Sequence, residues 1–61
     1  MKRFRIYVTN ISQAYNVLAE NGYNVTEGAT HVEIHVNENK KMDVVTLLNR
    51  AKVVLYDIEE A

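Results

Sequence analysis

The sequence predicts an α+β domain, with four short antiparallel strands in one sheet and two helices on one face of it. Three observations carry this. Residues 3–9 and 31–36 alternate apolar and polar side chains with period two, the signature of half-buried strands. Residues 11–18 and 42–48 change to the helical period, with apolar residues three and four apart. Short turn signals at Gly22 and Gly28 punctuate the chain, which has no proline, no linker and no legible internal repeat.

In order along the chain, "RFRIYVT" sends Phe4, Ile6 and Val8 one way and Arg3, Arg5, Tyr7 and Thr9 the other. The first helix carries Ile11, Ala14, Tyr15 and Leu18 on one stripe. Asn10 stands at its N-cap with Gln13 three residues on, the spacing of a capping box. It stops at "ENGY", where Gly22 is suited to the left-handed C′ position and Tyr23 folds back onto the helix. "YNVTE" is a short second strand with Tyr23 and Val25 on one side, and "EGAT" turns the chain through Gly28. "HVEIHV" is the third strand, with Val32, Ile34 and Val36 on one face. The second helix is expected from Asn39 or Lys40 to Arg50, on Met42, Val45 and Leu48 with Val44, Leu47 and Ala51 flanking; Asn37 and Asn39 both qualify as its cap. "KVVLYDI" closes as the fourth strand.

Right-handed crossovers turn this order into a split βαβ, ferredoxin-like sheet with the first and third strands as central antiparallel neighbours. Phe4, Ile6, Val8, Val32, Ile34 and Val36 then face the helices together. Arg3, Arg5, Tyr7, His31, Glu33 and His35 line the uncovered face, and these six residues are the candidate interaction surface.

Sixty-one residues make one small domain with no room for a deep cleft walled on all sides. The apolar fraction of 48% with 25% charged residues is that of a globular chain. A net charge of -1 lacks the basic surplus that a nucleic-acid binder uses to displace counterions. Cysteine is absent, which excludes disulfides, thiolate catalysis and Cys-ligated metals within these residues. No apolar run reaches the roughly 20 residues of a bilayer span, and the first residues lack the pattern of a signal peptide.

His31, Glu33 and His35 are residue types that a zinc site uses. On a strand, alternate residues stand about 7 Å apart and point the same way, so two of them could share an ion. The outer pair is about 13 Å apart and cannot join them. A polar strand face with Glu33 opposite an arginine is the preferred reading, and no metal is assigned. Tyr7 with the adjacent arginines has the pattern of an open-sheet RNA platform, but that face offers one aromatic residue and an acid on the third strand, so nucleic acid is not expected. Tyr15, Tyr23 and Tyr56 are read as packing residues, and Asp57, Glu59 and Glu60 as a solvated terminal run. No nucleophile–base pair and no phosphate-cradling loop is present, so no catalytic residue is assigned. A free-standing sensor of small ligands of the amino-acid type is the second reading. Ferredoxin-like modules of that kind usually place a glycine between the first strand and first helix, where this chain has "VTNISQ".

Three segments, "FRIYVTNISQAYNVLAENGYNV", "THVEIHV" and "VVTLLNRAKVVLYDIEE", carry a family likeness. The markers are Leu18, Gly22, Tyr23 and Val25 at the end of the first helix, the Val–x–Ile–x–Val strand, and Leu47 and Leu48 before a strand ending in Tyr–Asp–Ile. Over nearly its whole length the chain resembles the C-terminal accessory domain of bacterial ABC transporter ATP-binding subunits of the antibiotic and lantibiotic exporter type. Where that family has a glycine after the second helix, this chain reads "NRAKV". The resemblance implies a non-catalytic regulatory or interaction domain, residues 1–61, excised from the C-terminus of a larger ATPase subunit. ATP and magnesium would bind upstream in that parent, and no cofactor in this chain. The implied partners are its own ATPase domain, a second copy, and indirectly a membrane permease, with the domain cytoplasmic and peripheral to the membrane.

Overall fold

The computed structural model describes residues 1–61. The elements are β1 (Lys2–Val8), α1 (Ile11–Glu20), β2 (Val25–Glu27), β3 (His31–Val36), α2 (Lys41–Arg50) and β4 (Leu55–Glu60). All pairings in the sheet are antiparallel and the strand order is β2-β3-β1-β4. Each crossover helix therefore carries the chain over one intervening strand, which makes the α+β ferredoxin-like arrangement.

Alternation along β1 and β3 decides which side is core. Phe4, Ile6, Val8, Val32, Ile34 and Val36 are buried beneath the helices, and Ala14, Leu18, Val44, Leu48 and Val53 complete the core. Phe4 stands opposite Ile34 and Ile6 opposite Val32, so the central strands present one apolar block. No charged or polar residue is buried with it. Burying each large side chain contributes about 1.5–3 kcal/mol, which is most of what holds so short a chain together.

The two halves repeat although the sequence gives little sign of it. α1 starts at Ile11 and α2 at Lys41, and the buried pairs Ala14 and Leu18 on α1 correspond to Val44 and Leu48 on α2. Both helices close with the same Schellman bonds. Tyr23 N–H donates to the Leu18 carbonyl at 3.1 Å and Gly22 N–H to Ala19, while Val53 N–H donates to Leu48 at 2.9 Å and Lys52 N–H to Asn49. The C′ position is left-handed in both, Gly22 at φ 83 and Lys52 at φ 61.

Several expectations are corrected. Asn10 Oδ1 accepts from the Gln13 N–H at 3.0 Å, but the Gln13 amide does not return the bond; its Nε2 donates to the Ala51 carbonyl at 3.4 Å instead. That links the start of α1 to the end of α2. Neither Asn37 nor Asn39 caps α2. A 3-10 turn over Glu38–Lys40 leads directly into it, and no side chain caps it. Met42 is 65% exposed, because the core stripe of α2 runs through Val44 and Leu48. Lys41 takes the preceding place, with its ammonium 5.3 Å from the Phe4 ring centre. The fourth strand begins at Leu55 rather than Lys52, since Lys52 and Val53 belong to the helix stop. No helix is long and apolar enough to cross a membrane.

Candidate functional site

With both helices on one side, the other face of the sheet is bare, and strand alternation brings all six candidate residues to it. Register fixes their neighbours: Arg3 opposite His35, Arg5 opposite Glu33, and Tyr7 opposite His31. β4 adds Glu59 opposite Arg5 and Asp57 opposite Tyr7, and β2 adds Thr26 opposite Glu33.

Tyr7 is the hub. Its hydroxyl donates to Glu59 Oε1 at 2.6 Å, and Arg5 Nη1 reaches the same oxygen at 3.3 Å. The hydrogen bond from Tyr7, supported by Arg5, holds the Glu59 carboxyl below the usual carboxylate range. The same bond to Glu59 pushes the Tyr7 phenol up, and partial desolvation adds to it. The Arg5 guanidinium is raised by its bond to Glu59. The terminal acids are thus organised and not merely solvated. Glu60 likewise faces Lys2 at 3.5 Å, and Lys2 also reaches Glu38 at 3.0 Å.

Glu33 stands opposite Arg5 as expected, but no ion pair forms between them, because the Arg5 guanidinium is turned toward Glu59. Nor do the histidines converge: no group of three or more His, Asp or Glu side chains is placed to hold a metal ion.

An aromatic row runs across three strands. The Tyr7 ring lies 5.4 Å from the His31 ring and 6.3 Å from the Tyr56 ring, both tilted. Tyr56 was expected on the packed side and is instead 64% exposed on the bare face. The cause is a bulge. Tyr7 pairs with Asp57 and Val8 with Leu55, so Tyr56 is an extra residue that breaks the alternation of β4. At the other end of the row His31 lies over Gly28, and a Cβ built there would stand 2.7 Å from its Cε1 and Nε2 atoms. The glycine of "EGAT" is needed for that close approach, since its φ is not left-handed.

Beside this network, between β1, β3 and β2, is a polar cleft of about 250 Å³ lined by Arg3, Asn24, Thr26, Glu33 and His35 over the backbone of Ile34. The face therefore has an aromatic end whose central Tyr7 is held by hydrogen bonds and a charged end that is open. Comparison with protein-family models, with curated proteins and with solved structures finds no match for this chain.

Proposed function

We propose that this chain is a non-catalytic interaction module that docks through the aromatic end of its bare sheet face. The observation that carries this is the row His31–Tyr7–Tyr56 on a face no helix covers, with Tyr56 exposed, Tyr7 and His31 half-buried, and the central Tyr7 held by Glu59 beside Arg5. Rings held in place before binding lose little conformational freedom on docking, and tyrosines dominate the energetics of many interfaces. The resemblance to ABC transporter accessory domains supplies the partner: the ATPase domain of the same subunit, which carries ATP and magnesium, beside a permease at the cytoplasmic side of a membrane.

The test has two parts. The reading frame that encodes residues 1–61 is expected to hold a phosphate-binding loop and a signature motif upstream; a frame without them removes the transporter assignment. With that ATPase domain added to the isotope-labelled chain, resonances of Tyr7, His31 and Tyr56 are expected to broaden or shift. Tyr56→Ala and Tyr7→Ala should each weaken the association roughly tenfold. Perturbation confined to the helical face, or none, overturns docking through the sheet.

A further inference from the structure

We infer that the polar cleft on the bare face is a binding site for a small zwitterion bearing both a carboxylate and an ammonium group. The cleft is separate from the aromatic end and the inference stands independently of the docking proposal.

Some charges of this face are already partnered: Arg5, Glu59 and Tyr7 satisfy one another. The side chains of Arg3, Glu33 and His35 make no hydrogen bond and no ion pair within the chain. All three line the one cleft. Arg3 pairs with His35, and Glu33 is two residues along β3, which places Arg3 and Glu33 diagonally across the strands. Diagonal neighbours stand about 7–8 Å apart at Cα, within reach of long side chains, yet these two flank the cleft without closing on each other.

The lining selects the ligand by exclusion. A simple anion attracted by Arg3 meets the Glu33 carboxylate, and a simple cation attracted by Glu33 meets the Arg3 guanidinium. A molecule with opposite charges a few ångströms apart satisfies both ends. The planar guanidinium offers paired donors to a carboxylate, and Glu33 accepts from an ammonium group. The Asn24 amide and Thr26 hydroxyl supply further hydrogen-bonding groups from the β2 side. The cleft, of about 250 Å³ and open to solvent, has room for a small α-amino acid. The cleft is open to water, with Arg3 exposed and Glu33 and His35 half-buried, so affinity is expected to be weak, with Kd about 1 mM, and to fall with added salt.

The experiment is a nitrogen–proton correlation titration of the chain with L-alanine and L-serine. Its controls are L-alaninamide, which lacks the carboxylate, and N-acetyl-L-alanine, which lacks the ammonium. Saturating shifts at the amides of Arg3, Asn24, Thr26, Glu33 and His35 are expected with either free amino acid and with neither control. Arg3→Gln and Glu33→Gln, both surface changes whose folding the same spectra report, should each weaken binding about tenfold or more. Absence of saturable shifts with both amino acids up to ~10 mM overturns the inference. So does an equal response to N-acetyl-L-alanine that survives Glu33→Gln, which would define a plain anion site.

Discussion

The Tyr7 hydroxyl and the Glu59 carboxylate meet at 2.6 Å across neighbouring strands, with Arg5 on the same oxygen at 3.3 Å. Folding thereby favours the ionised form of Glu59 and the protonated form of Tyr7. The stabilisation from Glu59 is present above the ordinary carboxylate pKa and is lost as pH falls through the depressed folded value. The stabilisation from Tyr7 is present below the ordinary tyrosine value of about 10 and is lost as pH rises through the raised folded value. The bond is intact across the neutral range between those limits. A phenolate titration followed by ultraviolet absorbance should show Tyr7 ionising at lower pH in Glu59→Gln than in the unaltered chain. Unchanged titration would remove Glu59 as the cause.

Gly28 and His31 are coupled through contact. Gly28→Ala puts a methyl group 2.7 Å from the imidazole, so the ring must swing away from the turn and from Tyr7. The expected cost is about 1 kcal/mol, seen as a lower denaturation midpoint with altered His31 and Tyr7 ring resonances. In a His31→Ala background the same change should be close to neutral, because nothing remains to clash. A double-mutant cycle measures this directly, and additive effects would contradict the contact.

The face of α2 is open to a similar comparison. Val44 is fully buried, so Val44→Ala should cost about 2 kcal/mol, a large share of the stability of so small a domain. Met42 is exposed, and Met42→Ala should stay within about 0.5 kcal/mol. Denaturant unfolding of the two variants separates this helix orientation from one centred on Met42.

How far these relationships were legible follows from their range along the chain. Alternation at Phe4–Val8 and Val32–Val36 names both central strands and their bare faces, because side-chain direction in a strand is a local property. Gly22 marks the end of α1 for the same reason. Tyr56 was hidden since a bulge is set by pairing with β1, not by β4 itself. Glu59 could not be matched to Tyr7 from a pattern, as the two are 52 residues apart. On α2, Met42, Val45 and Leu48 are spaced closely enough to a helical stripe to compete with the true one. In the fold Val44 and Leu48 are buried and Met42 is exposed, with Lys41 over Phe4.

Lys52 occupies the left-handed position that Gly22 fills in the first half, at φ 61. A side chain there costs about 1–2 kcal/mol against glycine, offset in part by the greater freedom glycine gives the unfolded chain. The lysine makes no hydrogen bond or ion pair through its side chain to lose. Lys52→Gly should therefore raise stability by about 0.5–1 kcal/mol, equivalent to a Tm increase of roughly 2–8 °C in a domain of this size. A thermal melt that falls or stays fixed would show that the lysine is not strained.

The outer edge of the sheet is guarded by Asp57. Ala61 N–H donates inward to Arg3 at 2.9 Å, so alternation turns the N–H groups of 58 and 60 outward, away from β1. Asp57 Oδ1 accepts the Ile58 N–H at 2.9 Å, occupying a donor that another strand would otherwise use. The bulge at Tyr56 interrupts the same edge one residue earlier. Asp57→Ala frees the Ile58 donor and removes a negative charge from the edge. Exchange of the Ile58 amide should then quicken by up to about tenfold, and sedimentation should become concentration-dependent as β4 edges pair. Asp57→Asn keeps an acceptor oxygen in place, so its Ile58 exchange should match that of the unaltered chain. If Asn and Ala behave alike, charge repulsion and not the hydrogen bond protects the edge.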